Sequence, residues 1–496
     1  MEQNKVGELR LFKLFGHFSL LLAVCFSALN SQESFKNFKK SQAESFKTYK
    51  DERDNAFNDY LKQEWKAYNV FISAPLFEKE KPLEIDSAKP QKIKPVGPRV
   101  TIKIKKIVDK KETEAVKVES EVKNSSTPVL KDYDISFDFY GSELGFDIPK
   151  GIKTANFYPE NKTGITNFFS SAASSEYDTL LSNIKKISTK MNLNDWGIYL
   201  LVSRVADLAF MNEDNSRLLS WFIFNKLGYA VKIGLAKKHV VLMHYSKKLI
   251  YSTPNYTFNK KRYYVLANYA KGSVGRLFSY KQDYPGSTKE LDLSLKTLPK
   301  LALKEDSKTL EFKEFGNRYT IPIVYNKNLI EFMNTYPQAD YETFFNAPVE
   351  NRTYADIASS IKKYIDGKKA SEAINFVLRF VQKSFKYEQD NQQFGREKVM
   401  FAQETLYYDK SDCEDRAVLF AYLVKKLFRV SVLGVKYRDH MATALYIPID
   451  GDKVMAGSKK FVIADPTYIN ANIGVSMPKY RAIRPQSYIR VKKMLK

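Results

Sequence analysis

ETLYYDKSDCEDRAVLFAYLVKKL, residues 404–427, is the stretch on which the fold turns. Ser411 and Asp412 carry short side-chain oxygens of the kind that satisfy the unpaired N–H groups of a first helical turn. Behind them Val418, Leu419, Tyr422, Leu423 and Leu427 recur at helical spacing as one apolar stripe. The pattern predicts a buried helix that begins near Cys413. A thiol at that position sits in the positive end of the helix dipole, which favours the thiolate. Glu414 and Asp415 oppose this, so the thiol needs a base partner.

Two later segments offer one. Residues 441–448 and 459–465 alternate or run apolar, as paired strands do. In an antiparallel pair, opposed residues have a constant index sum, and a pairing of His440 with Asp465 centres in the turn Asp450-Gly451-Asp452. That register sets the imidazole beside the carboxylate across two strands. The carboxylate can orient the ring, which takes the thiol proton and later returns it to a leaving amine. The candidate catalytic residues are therefore Cys413, His440 and Asp465. The helix start offers a backbone N–H as one oxyanion donor, with Tyr387 and Gln403 as candidates for a second.

The runs FVQKSFKYEQD (380–390), ETLYYDKSDCEDRAVLFAYLVKKL (404–427), RDHMATALYIP (438–448) and FVIADPTY (461–468) resemble the transglutaminase-like cysteine superfamily. The resemblance covers residues 374–468 and is most specific at 412–417, at Asp439-His440 and at Asp465-Pro466. It implies a papain-like α+β core, a Cys-His-Asp triad with Cys413 as nucleophile, and acyl-enzyme chemistry on amides. Ser411 departs from the family's usual Gly. The family includes peptidases, amidases, cross-linking enzymes and inert scaffolds, so the resemblance leaves the reaction open between hydrolysis of peptide or isopeptide bonds, cross-linking and a non-catalytic role.

Outward from the site, the chain repeats itself. FDFYGSELGFDIP (137–149) matches LEFKEFGNRYTIP (310–322), each reading as two strands about a turn Gly, Gly141 or Gly316. NKLGYAVKIG (225–234) matches KKLFRVSVLG (425–434), and YVLAN (264–268) matches FVIAD (461–465). The order is kept and the offset shifts only between blocks, as a duplicated domain with loop insertions requires. In the first copy Glu213 or Asp214 falls on Cys413, Asn268 on Asp465, and His239 near His440. That copy reads as a degenerate module without a nucleophile.

The expected fold class is α+β, with two tandem papain-like modules at 131–272 and 306–480 joined by a connector at 273–305. A basic tail at 481–496 follows. Before the modules lie a signal peptide or anchor at 1–31, a long helix at 32–73 and a Pro/Lys-rich linker at 74–130, with a strand at 100–107. The helix is read from aromatic pairs that repeat every 11 residues (Phe35/Phe38, Phe46/Tyr49, Phe57/Tyr60, Tyr68/Phe71), which puts them on one face. It serves as a stalk or coiled coil, as a helix packed on the body of the protein, or as a helix lying on a membrane or wall surface.

Lys5, Arg10 and Lys13 precede an apolar run at 14–29, as in an export signal. Cleavage, anchoring and lipidation at Cys25 all remain open. An exported, periplasmic or envelope-associated chain follows in each case, and with the signal removed Cys413 is the sole cysteine. The net charge of +24 points to an acidic partner, such as an anionic membrane or cell-wall surface, beside a protein or peptide substrate. No nucleic-acid-binding signature accompanies it. The sequence carries no EF-hand loop, zinc-ligand spacing or phosphate-binding Gly loop, so no cofactor or metal is expected.

Overall fold

A computed structural model describes residues 36–42, 44–45, 47–48, 50–63, 65–103, 132–266 and 274–492. The signal peptide or anchor expected at 1–31 lies outside them, and among the described residues no helix is long and apolar enough to cross a membrane. The fold is mixed α/β with two curled sheets. The chain divides after Gln63, and the helix before that point is a unit of its own.

That helix is shorter than expected. Its described residues are helical from 36 to 61, and then Lys66–Tyr68 and Phe71–Ile72 are strands. Tyr68 and Phe71, the fourth aromatic pair, therefore belong to a sheet, whereas Phe57 and Tyr60 stack within the helix at 6.4 Å. Phe35, Phe46 and Tyr49 lie outside the described residues. Strand pairing overrides helix propensity here: Lys66 and Tyr68 find backbone partners in Ser279 and Leu277.

The larger sheet runs Lys66–Tyr68, Leu277–Ser279, Val231–Ala236, His239–Tyr245, Lys261–Tyr264, Pro254–Phe258, Phe71–Ile72, with each neighbouring pair antiparallel. Its two outermost strands are separated by only Asn69 and Val70. Three Cα steps span at most about 11 Å, whereas seven flat strands would spread over about 29 Å. The sheet must therefore curl until its edges nearly meet. The expected connector at 273–305 is partly wrong for the same reason: Leu277–Ser279 is a sheet strand.

The second sheet runs Ser487–Arg490, Val432–Lys436, Met441–Leu445, Lys459–Ala464, Lys453–Ala456, again wholly antiparallel. This is the order of the five inner strands of the first sheet, strand for strand. The register agrees as well. Gly234 pairs with Val241 and Ser279; Gly434 pairs with Thr443 and Ile489. Matching those two glycines and continuing each register brings Tyr264 onto Phe461, the offset seen between YVLAN and FVIAD. Within the basic tail expected at 481–496, Ser487–Arg490 forms an edge strand of this second sheet.

The five strands common to the two sheets are preceded in each case by a two-residue hairpin and a helix array. Tyr140-Gly141 and Phe315-Gly316 each have positive φ at both positions, 52° and 81° in the first, 46° and 81° in the second. Such turns match the twist of their strands (Ile135–Phe139 with Ser142–Phe146, Glu305–Glu314 with Asn317–Asn326). The last helix of each array, Glu213–Lys226 or Cys413–Phe428, packs on its sheet. In the second, Val418, Leu419, Tyr422, Leu423 and Leu427 are all buried, as the stripe predicts.

The Pro/Lys-rich segment is not a free linker. From 74 to 103 it forms no helix and no strand, and the strand expected from residue 100 is absent up to 103; residues 104–131 lie outside the described set. Instead it is docked along residues 368–371 and 469. Ala88 N–H donates to Ile469 O (2.8 Å), Val96 N–H to Ser371 Oγ (2.8 Å), and Val100 N–H to Lys368 O (2.9 Å). Prolines remove donors from this segment, so it binds through its remaining amides and carbonyls.

Candidate active site

Cys413 is the first residue of the helix Cys413–Phe428 and is fully buried. The parallel pairing of Lys386–Tyr387 with Lys410–Ser411 fixes the chain just before it. Arg416, also buried, holds the turn together: Nε donates to Ser411 Oγ (3.1 Å), and its Nη groups reach Gln382 O (3.3 Å) and Phe385 O (2.8 Å). Ser411 thus supplies a contact that Gly could not. Burial pulls the Arg416 guanidinium down to about 10.

His440 and Asp465 meet. His440 Nε2 lies 2.8 Å from Asp465 Oδ2, and both side chains are 2% exposed. The register behind this differs from the expected one. Thr443 pairs with Ala464 and Leu445 with Val462, so Asp465 sits two places from the position opposite His440. Residues two apart share a face, and the diagonal contact still closes. The turn expected at 450–452 is replaced by an added edge strand, Lys453–Ala456, which turns into Lys459–Ala464. Asp465 Oδ1 accepts from Thr467 N–H (2.9 Å) and Tyr468 N–H (3.2 Å), which locks the carboxylate. Gln382 Nε2 donates to Asp465 O (2.9 Å) and Tyr468 O (2.7 Å), holding the same turn from below. With its Nε2–H on Asp465, the imidazole keeps Nδ1 as the nitrogen that can accept a proton.

Two tyrosines flank that ring. Tyr480 stacks on it at 4.7 Å and 18°, and Tyr437 lies at 6.3 Å and 18°. Tyr480 O–H donates to Asp439 Oδ1 (3.0 Å), beside Lys479. The same tyrosines wall a cleft of about 740 Å³ that also involves Asp452, Arg481 and Tyr488.

The thiol is not bonded to the imidazole. Cys413 Sγ donates to Glu414 Oε2 at 3.2 Å. Burial, then the charges of Glu414 and Asp412, push the thiol well above its ordinary value, so it rests protonated. Asp412 occupies the position that starts the helix, but its carboxylate is spent elsewhere. Its Oδ2 contacts Lys81 Nζ, which also lies 2.9 Å from Glu414 Oε1, 3.1 Å from Asp390 Oδ2 and 3.1 Å from Glu397 Oε2. The Lys81 side chain is only 2% exposed. Burial alone would lower its ammonium; Asp412, Glu414 and Asp390 outweigh that and raise it. Glu414, by burial, is pushed up to about 7.

Sequence reasoning missed Lys81 and its cage. Lys81 lies some 330 positions before Cys413 in a low-complexity segment, and only its placement before Pro82 marks an extended residue. The two oxyanion candidates are otherwise engaged. Tyr387 O–H donates to Pro82 O (2.8 Å), and Gln403 is tied to Glu350 N (2.9 Å) and Thr353 Oγ1 (3.1 Å).

In the first module Asn212 caps the helix that starts at Glu213, as Asp412 precedes Cys413. Asp214 accepts from Val240 N–H (2.8 Å) and contacts His239 Nδ1 (3.2 Å) and Arg217 (3.2 Å). His239 is 74% exposed on its side chain and Glu213 is 82% exposed. The set holds no nucleophile; Asn268 lies outside the described residues. A cavity of about 430 Å³ opens beside this helix start, lined by Tyr199, Arg217 and His244 among others.

No protein-family model, curated protein or solved structure matches this chain.

Proposed function

We propose that the chain is an exported cysteine-dependent acyl-transfer enzyme of the transglutaminase-like superfamily, built from two papain-like modules of which the first is degenerate. The identical order and register of the two inner sheets support the duplication. The reading of the site rests on one observation: a helix-start thiol on the same module as a buried imidazole whose Nε2 is held 2.8 Å from a locked carboxylate. That arrangement leaves Nδ1 for the thiol proton.

In the proposed reaction the Cys413 sulfur attacks an amide carbonyl and its proton passes to His440 Nδ1. The tetrahedral oxyanion collapses to a Cys413 thioester as the amine leaves with that proton. Water then takes the acyl group, which makes the reaction hydrolysis of a peptide or isopeptide bond at the cell envelope. A lysine amine in place of water would make it cross-linking. The test is acylation by an activated acyl probe, followed by partition between water and added amine. Cys413→Ala must abolish the adduct. Release as free acid supports hydrolysis, and release as amide supports transfer.

A second reading, a non-catalytic envelope scaffold, is favoured by the thiol's resting bond to Glu414 instead of His440. A chain that never acylates Cys413 would leave that reading standing.

A further inference from the structure

Residues 76–82 lie across the candidate site as a bound segment would. Tyr341 O–H reaches Leu76 O (3.5 Å), Glu78 and Lys79 N–H donate to Arg438 O (3.0 and 3.2 Å), Gln389 Nε2 donates to Lys81 O, and Tyr387 O–H donates to Pro82 O (2.8 Å). Leu76, Phe77 and Lys81 are buried, while Glu78, Lys79 and Glu80 between them are exposed. The segment is thus anchored at both ends with its middle in solvent. Lys81 brings an ammonium into the thiol's neighbourhood, with the Phe77 ring 5.2 Å from its Nζ. One ammonium faces four carboxylates, from Asp390, Glu397, Asp412 and Glu414. As scaffolding this is a poor solution, because buried ions replaced by apolar groups of similar volume are often more stable. Acids gathered this closely about one ammonium are the kind of cluster that marks a functional site.

We infer that the carboxylate cage beside Cys413 is a subsite for a primary-ammonium side chain, and that Lys81 of the chain's own strap occupies it in cis. The ligand class is an extended peptide carrying lysine, with its main chain held by Tyr387, Gln389 and the Arg438 carbonyl. With the strap docked, the subsite is filled and the thiol stays covered and bonded to Glu414. The inference rests on the acyl-transfer reading for its meaning, but its test does not require turnover.

The full chain with Cys25→Ser has Cys413 as its only thiol. Lys81 itself is a poor first target, since its charge favours the thiolate and its loss would change reactivity as well as access. The double variant Leu76→Ala with Phe77→Ala removes two buried anchors of the strap itself and leaves the Tyr387 and Gln389 clamps and the cage charges in place. Alkylation of Cys413 by iodoacetamide needs no oxyanion donor, and the expected rate is at least tenfold above the parent. The peptide LFEKEKP at millimolar concentration should restore protection, and the same peptide with norleucine in place of the lysine corresponding to Lys81 should not. An unchanged alkylation rate overturns the strap. Equal protection by the two peptides overturns the ammonium subsite.

A second variant, Lys81→Ala, should melt lower, and n-butylammonium should restore its melting temperature saturably where butanol does not. A melt that n-butylammonium leaves unmoved also overturns the subsite. Acylation of the loosened chain by p-nitrophenyl acetate separates the two ideas. If His440→Ala leaves that rate unchanged, the acyl-transfer reading falls while the strap and subsite stand on the other measurements.

Discussion

Asp465→Asn isolates the element that turns a buried histidine into a base. Asp465 uses both oxygens: Oδ2 faces His440 Nε2 at 2.8 Å, and Oδ1 accepts two backbone N–H groups from Thr467 and Tyr468. An asparagine has one acceptor oxygen and one NH₂. The two backbone N–H groups cannot face an NH₂, so the amide oxygen must take the Oδ1 place. The NH₂ then points at His440 Nε2 and forces the imidazole proton onto Nδ1. A ring protonated at Nδ1 cannot accept the thiol proton. The corresponding change in a serine triad lowers turnover about 10⁴-fold, which is about 5.5 kcal/mol in the barrier. Losing one charge-assisted hydrogen bond in a buried site should cost stability about 1.5–3 kcal/mol. The assay is single-turnover acylation of Cys413 in the strap-loosened chain, with ¹⁵N chemical shifts of His440 reporting the tautomer. An unchanged acylation rate with a flipped tautomer would refute the proton-transfer role of His440.

Four further outcomes follow from the same geometry. Glu414 is raised by burial from 4.5 to about 7, so its folded form holds a proton that the unfolded form gives up; stability is full below about pH 4.5 and falls as pH rises to 7, by about 3 kcal/mol. Melting curves from pH 4.5 to 8 should show this slope in the parent and a flatter one in Glu414→Gln. His244 is lowered by burial from 6.5 to about 3, so its contribution is present above 6.5 and lost as pH falls toward 3, by about 5 kcal/mol. His244→Phe should flatten that acid limb. Gly434→Ala would set a Cβ 2.7 Å from Phe345 Cζ and 3.2 Å from Ile489 Cβ, and overpacking of that kind costs about 1–3 kcal/mol in urea unfolding; Phe345→Leu in the same chain should relieve part of it. His239→Ala, at a side chain 74% exposed, should leave stability within about 0.5 kcal/mol and any acyl transfer unchanged.

The second module was legible because its signals are local. The apolar stripe behind Cys413 and the alternation around 441–448 and 459–465 mark elements by their own spacing, and they appear where the spacing puts them. The meeting of His440 with Asp465 was legible for the same reason, although a strand at Lys453–Ala456 shifted the register by two. What the sequence hid was long-range. Lys66–Tyr68 has no strand signature strong enough to beat a helical aromatic period, and only pairing with Leu277–Ser279 makes it a strand. Lys81 reads as one more lysine in a Pro-rich segment, and nothing local announces four carboxylates gathered from three separate stretches of chain. The thiol's bond to Glu414 was equally hidden, since two adjacent residues can face each other or not according to what surrounds them.

The central claim is that Cys413 is an acyl-accepting nucleophile served by His440. Its most direct measurement is peptide mass spectrometry of the strap-loosened, Cys25→Ser chain after incubation with an activated acyl ester. The account predicts one acyl adduct, on Cys413, that forms at least a hundredfold more slowly in His440→Ala and is discharged by water or amine. An adduct that forms equally fast without His440, or a Cys413 that remains unmodified once the strap is loosened and the thiol alkylates freely, would contradict it.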